Sequence, residues 1–155
     1  MTSVKPHLSI LMTAYNAEQF VGEAITSILR QSYSDFELLI IDDSSTDRTL
    51  KTIESFDDNR ITILKNKNNQ GYLKSINTLI KKCKGDYIAF QDADDWSQPE
   101  KFQTQIDAFE KDPDLEFCGT QCLYYENGNK PRNSNFPLLH SAVVSQLEQG
   151  ETVLL

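Results

Sequence analysis

The sequence predicts an α/β fold: a Rossmann-like, mainly parallel sheet with helices on both faces. Three observations predict it. Short apolar runs recur at Leu8–Met12, Phe36–Ile41, Ile61–Leu64 and Asp86–Gln91. The stretches between them carry apolar residues at helical spacing. Three of the runs end abruptly in polar clusters, as strands do where they feed a ligand crevice. Strand–helix alternation with right-handed crossovers gives a parallel sheet covered on both faces.

Each element has a local reason. Leu8–Met12 is apolar throughout except Ser9 and reads as a buried strand. Asn16 is placed to open the next helix, with Gln19 as its capping-box partner. Phe20, Val21, Ala24, Ile25, Ile28 and Leu29 then form one helical face. Phe36–Ile41 is the second strand and ends in Asp42-Asp43. Ser44 and Asp47 are candidate caps for a helix carrying Leu50, Ile53 and Phe56 inward. Ile61–Leu64 is a short third strand, followed by the polar loop 65–71. A helix over 72–82 turns Leu73, Ile76, Leu79 and Ile80 inward, and Gly85 is placed to stop it. Asp86–Gln91 is the fourth strand. Pro99 suits the first turn of a helix running to about Lys111. Leu115–Leu123 reads as a fifth strand, and Asn127-Gly128 as a turn. Residues 129–137 read as a loop and Ser141–Gln149 as a further helix.

With 155 residues the chain can bury a real core. The pattern divides it into an α/β core over 1–127 and a weaker region over 128–155. The closing Val153-Leu154-Leu155, with no polar terminus, reads as an interruption. A net charge of -8 argues against a nucleic-acid partner. No run approaches the ~20 apolar residues of a membrane span, and Met1 to His7 lacks the apolar centre of a signal peptide. The three cysteines make no disulfide framework: in a strand, Cys118 and Cys122 stand roughly 13 Å apart, beyond disulfide reach. Free thiols place the chain in a reducing cytoplasm.

The densest feature is Gln91-Asp92-Ala93-Asp94-Asp95-Trp96, where three carboxylates occupy four positions. Close carboxylates repel and raise one another's pKa unless a cation joins them. Mg²⁺ and Mn²⁺ take oxygen ligands, characteristically one or two carboxylates with phosphate oxygens. The knot follows strand four. Thr13-Ala14-Tyr15-Asn16 follows strand one, and Asp42-Asp43-Ser44-Ser45 follows strand two. Three clusters at strand ends favour a converging site over three unrelated solvated turns.

These segments together resemble the family 2 glycosyltransferases, inverting enzymes of the nucleotide-sugar-binding GT-A fold. The resemblance runs from about Leu8 to Leu123. It is carried by Ser9–Asn16, Ile41–Asp47, Asn69-Gln70-Gly71 with Asn77, and Gly85–Asp95. Two departures are visible: the family often has Pro where Met12 stands and Gly where Ser44 stands. The resemblance makes 1–127 the donor-binding core and implies a nucleotide-diphosphate sugar, a UDP-sugar above all. Thr13, Ala14, Tyr15 and Asn16 would border the nucleobase, with Asp43 accepting the imide N–H of a uracil-type base and Ser44 beside it. Gly71, Asp92 and Ala93 would meet the rest of the nucleotide. Asp94, with Asp92, would hold Mn²⁺ or Mg²⁺. Asp95 and Trp96 are candidate sugar contacts, Trp96 equally suited to covering the core. Glu18 reaches a base or ribose or simply complements its helix dipole; Lys74 reaches phosphate or stays solvated.

The resemblance also implies a saccharide or lipid-linked acceptor, and a base that removes the acceptor proton. No acid between Glu126 and Glu151 lies in a recognisable motif, so the base is expected beyond Leu155. The location expected is cytoplasmic, including the inner face of a membrane. Two other classes compete: a nucleotide- and metal-binding module without catalysis, and a phospho-acceptor signalling domain. The latter expects an acidic pair after strand one, where this chain has Thr-Ala-Tyr-Asn.

Overall fold

A computed structural model describes residues 7–125 and 131–134. The chain forms two compact units, 1–103 and 104–155. The first holds β1 (Leu8–Ala14), α1 (Val21–Leu29), β2 (Phe36–Asp42), α2 (Thr49–Glu54), β3 (Ile61–Lys65), α3 (Tyr72–Ile80) and β4 (Tyr87–Phe90). Helix α4 (Lys101–Lys111) begins in the first unit and continues into the second.

The four strands form one parallel sheet in the order β3-β2-β1-β4. Leu8 pairs with Phe36 on one side and with Tyr87 on the other. The chain therefore moves outward from β1 to β3 and then returns to β1's other side. The switch point lies between β1 and β4, where parallel α/β sheets open a crevice at their carboxyl ends.

Strands β1 and β2 are buried on both faces, which is why they read as continuous apolar runs. Alternate residues serve two cores. Leu8, Ile10, Met12, Leu38 and Ile40 pack with Val21, Ile25 and Ile28 of α1, Ile53 of α2 and Phe102. Leu11, Leu39 and Ile41 pack with Ile76 and Leu79 of α3. Thr13 and Asp43 follow the second series and Asp42 the first, so the paired aspartates leave β2 toward opposite faces.

Gly85 has a different role from the expected helix stop. Helix α3 ends at Ile80. Gly85 lies against β1, where a Cβ would meet Ser9 N at 2.5 Å and Leu8 C at 2.8 Å. Its N–H donates to Ser9 Oγ at 2.9 Å, and Ser9 Oγ donates to Glu37 Oε1 at 2.7 Å. A buried Ser–Glu pair thus anchors the turn into β4.

The expected fifth strand over 115–123 is not formed. Its only strand residue is Leu123, in β5 (Leu123–Tyr124), which is antiparallel to β6 (Arg132–Asn133), with Tyr124 opposite Arg132. Residues 116, 117 and 119–122 are exposed, and Gly119-Thr120-Gln121 breaks the apolar run. Arg132–Asn133 also replaces part of the loop expected over 129–137. Cys118 and Cys122 therefore share no strand, and the three cysteines are free thiols. The Asn127-Gly128 turn, the 127/128 boundary and the helix at 141–149 lie outside the described residues. Among the described residues, no helix is long and apolar enough to cross a membrane.

Candidate functional site

The β1–α1 and β2–α2 loops are stitched together. Helix α1 starts at Val21, five residues later than the expected opening at Asn16. Asn16 instead takes a left-handed conformation, φ 49, which asparagine tolerates better than most side chains. Its Oδ1 accepts from Thr46 N at 2.9 Å. The neighbouring N–H groups all find side chains of the second loop. Asn16 N donates to Ser45 Oγ, Ala17 N to Thr49 Oγ1, and Glu18 N to Asp47 Oδ2. Asp47 Oδ1 also accepts from Thr49 N at 2.9 Å. Burial pushes the Asp47 carboxyl up, but the bonds from Thr49 and Glu18 outweigh it and hold it below its usual value. The Ser-Ser-Thr-Asp segment is thus a clasp for the loop after β1.

Ser44 sits at φ 66, also left-handed. Glycine is unstrained there, whereas another residue pays about 1–2 kcal/mol. This is the physical reason for a preference for Gly at that position.

Asp42 and Asp43 divide their work. Asp42 is fully buried; its Oδ2 accepts from Ser45 N at 3.2 Å, while its Oδ1 has no partner. Asp43 is the hub of the loop after β3. Its Oδ1 accepts from Asn66 Nδ2 at 2.6 Å and Gln70 N at 2.9 Å, and its Oδ2 from Gly71 N at 2.8 Å. Asn66 Nδ2 also reaches Ser75 Oγ at 2.9 Å, tying the hub to α3. Burial raises the Asp43 carboxyl, and the bonds from Gln70, Asn66 and Gly71 overcome it, leaving the pKa below 3.8. A carboxylate offers about four lone-pair sites. Three are taken by these donors, and the Ser75 side chain is a further donor that lowers the pKa.

Gly71, φ 81, turns the chain into α3 and brings Tyr72 toward the knot. The Tyr72 hydroxyl is raised first by burial and then by the charge of Asp92. The start of α3 thus links the Asp43 hub, through Gly71, with Asp92 after β4 at the carboxyl end of the sheet.

The knot itself is electrostatically unbalanced. Partial burial raises Asp92, and the charges of Asp95 and Asp94 raise it further; Lys101 pulls it down. Asp95 is raised by burial and by Asp94, again opposed by Lys101. Asp95 N donates to Asp92 O at 3.3 Å, closing the turn. Below the turn, Gln91 is buried: its Oε1 accepts from Ser97 Oγ at 2.6 Å and Lys101 Nζ at 3.2 Å, and its Nε2 donates to Asp95 O at 3.0 Å. Ala93 is buried, while Asp94, Asp95 and Trp96 are exposed. Among the described residues, no group of three or more His, Cys, Asp or Glu side chains closes into a metal cage. Asp92 and Asp94 are exposed carboxylates, the donor type that Mg²⁺ or Mn²⁺ takes once or twice while completing its shell with phosphate and water.

The structure gathers Thr13, Ala14, Tyr15, Asn16, Asp43, Ser44, Gly71, Asp92, Ala93 and Asp94 at the strand ends. Tyr15 presents a half-exposed ring. Lys74 is exposed on the first turn of α3. Glu18 is engaged elsewhere: its Oε2 accepts from Arg48 N at 2.8 Å, with Arg48 Nε 3.6 Å away. Asn66, Gln70, Tyr72, Ser75 and Lys101 were not foreseen. Asn66 could have been suspected as the first polar residue past β3, the position of the aspartates past β2.

Comparison with known proteins agrees with this geometry. The sequence model described as Glycosyl transferase family 2 matches residues 9–153. The chain belongs to glycosyl transferase family 2. A protein named as a glycosyltransferase, EpsE of Bacillus subtilis (strain 168), is 38% identical over 124 residues, 78% of this chain and 45% of that protein. The Escherichia coli UDP-Glc:alpha-D-GlcNAc-diphosphoundecaprenol beta-1,3-glucosyltransferase WfgD is 40% identical over 99 residues, 64% of this chain and 39% of that protein. Among solved structures, TarS 1–349 of S. aureus in complex with UDP-GlcNAc aligns with a TM-score of 0.64 and 26% identity, over 68% of this chain and 31% of that one. The chain thus spans less than half the length of each of these proteins. Membership of this family sets aside the phospho-acceptor domain.

Proposed function

We propose that this chain is the donor-binding part of an inverting glycosyltransferase that uses a UDP-sugar with a divalent cation. The observation that carries the reading is the pairing, at the carboxyl end of one parallel sheet, of a hydrogen-bonded Asp43 hub with an under-neutralised aspartate knot. Family membership supports transfer from a nucleotide sugar, and the UDP-glucose and UDP-GlcNAc in the names of WfgD and the TarS complex support uridine.

In this reading the uracil enters between the Tyr15 ring and the β2 end. Asp43 accepts the imide N–H, and the clasp from Ser45, Asp47 and Thr49 holds the Thr13–Asn16 loop in place. Ser44 borders the base, and Gly71 and Lys74 border the diphosphate. Buried Ala93 lets the backbone approach the ribose. Asp94, with Asp92, holds Mn²⁺ or Mg²⁺. Such an ion, when bound, neutralises charge on the departing nucleotide diphosphate. Asp95 flanks the sugar. Glu18 serves as a loop staple rather than a donor contact. We assign no general base among these residues. The acceptor in this reading is a saccharide or a lipid-linked saccharide, met at the cytoplasmic side.

Thermal unfolding tests the proposal. UDP with Mn²⁺ should raise the melting temperature in a dose-dependent way, because a ligand bound to the native state stabilises by mass action. Asp94→Asn should remove the metal dependence of that shift. A folded protein that shows no shift with UDP and Mn²⁺ sinks the uridine assignment.

A further inference from the structure

A concavity of about 570 Å³ lies away from the strand ends, along α1. Gln19, Glu23, Ser27 and Arg30 line one side, and Trp96 and Pro99 the other. The segment opposite α1 is fixed. Gln31 Nε2 donates to Gln98 O at 2.7 Å, Ser97 N to Ser27 Oγ at 3.1 Å, and Ser32 N to Pro99 O at 2.8 Å. The wall facing α1 is therefore held in place, and the groove it borders is shallow and open to solvent. A smaller hollow shares Glu23 and Trp96 with it and reaches Asp94 and Asp95. The two hollows adjoin at Glu23 and Trp96, beside the aspartate knot.

Its chemistry selects a ligand class. Glu18 and Glu23 outnumber Arg30 along the groove, and Asp94 and Asp95 line the adjoining hollow. A phosphorylated or carboxylated ligand would meet repulsion there. Trp96, 50% exposed, offers a flat apolar ring. Carboxylate and amide groups at Glu23 and Gln19 suit hydroxyl donors. A flat ring beside hydrogen-bonding edges matches a pyranose, which has C–H faces and a hydroxyl rim. We propose that this groove binds a short neutral oligosaccharide, the part of the acceptor leading to the reacting sugar, with Trp96 stacking on a ring and Glu23 accepting from its hydroxyls. The assignment to the acceptor rests on reading the strand ends as the donor site; the groove's affinity for neutral saccharide does not.

Trp96 is the only tryptophan in the chain, so intrinsic fluorescence reads the groove directly. The probes are maltotriose, laminaritriose and triacetylchitotriose, titrated without nucleotide or metal. At least one should change Trp96 emission saturably. Glu23→Ala should weaken that binding about tenfold, and Gln19→Ala should weaken it to a lesser degree. Both positions are exposed, so circular dichroism should find the variants folded. No saturable change with any of the three probes overturns the proposal, as does binding that Glu23→Ala leaves intact. Saccharide binding without a UDP–Mn²⁺ thermal shift would uphold the groove and reject the donor reading; the reverse pattern would reject the groove alone.

Discussion

Replacing Asp43 by Asn tests whether the loop after β3 hangs on one carboxylate. The carboxylate is buried and accepts three hydrogen bonds, from Asn66 Nδ2, Gln70 N and Gly71 N. An amide keeps one acceptor oxygen. If that oxygen stays at the Oδ1 position, the new NH₂ faces the Gly71 N–H, donor against donor. One charge-assisted bond disappears and two become neutral. Bonds to charged groups contribute about 1.5–3 kcal/mol and neutral ones about 0.5–1.5 kcal/mol. The lost bond and the two weakened ones amount to about 4 kcal/mol, part of which is returned because no buried charge remains to be desolvated. The net loss should be about 2–3 kcal/mol in urea unfolding, with faster amide exchange at Gln70 and Gly71. The pH dependence has a definite sign. Asp43 is held below 3.8 in the fold, so its contribution is complete above the unfolded value and is lost as pH falls through the folded one. The gap between wild type and variant should therefore narrow in acid. A loss under about 0.5 kcal/mol, the size of an ordinary surface substitution, with unchanged exchange at Gln70 and Gly71, would refute the hub.

Three further outcomes follow from the geometry. Gly85→Ala should destabilise by about 2 kcal/mol or more in the same unfolding experiment, because the new Cβ meets backbone atoms of Leu8 and Ser9 that cannot rotate away. Asp42→Asn should stay within about 1 kcal/mol of wild type, since Oδ1 has no partner to lose; a larger loss would reveal an uncounted role for that oxygen. Asp92 and Asp95 are raised in the fold, so their share of stability is present below the unfolded value of 3.8 and is lost as pH rises through their folded values. Over that interval melting temperature should fall and Mn²⁺-dependent UDP binding should strengthen, and Asp92→Asn should flatten both slopes.

The sheet was legible because β1 and β2 are buried on both faces and so appear as unbroken apolar runs. Helix α1's inner face was equally plain, but its start was not. Asn16 looks like a cap only while its neighbours' N–H groups are assumed to need one; in the fold Ser45, Asp47 and Thr49 supply the acceptors from a loop some thirty residues away. Such non-local capping leaves no mark at Asn16 itself. Leu115–Leu123 failed for the converse reason. Its residues have strand character, but a strand also needs a ladder, and of these only Leu123 acquires one. The Asp clusters were visible as composition, whereas their inequality was not: Asp42 and Asp43 are adjacent and chemically identical, and only strand alternation sends one toward α3 and the other away.

That inequality explains how an acidic chain could receive an anionic donor. At one end the Asp43 carboxylate is hydrogen-bonded within the fold, by Asn66, Gln70 and Gly71, and its pKa falls accordingly. At the Asp92 end the charges are matched only in part, by Lys101, and the pKa rises. The first arrangement is rigid before any ligand arrives and can read shape and a single N–H at little cost in reorganisation. The second has negative potential left over, which repels a diphosphate on its own and attracts a divalent cation. Nucleotide and metal should therefore bind together better than either binds alone. A nucleoside such as uridine, which carries no diphosphate, should gain little from the cation. Calorimetric titration of UDP and of uridine, each with and without Mn²⁺, separates the two ends: equal metal dependence for both ligands would mean that the knot and the hub do not serve one site.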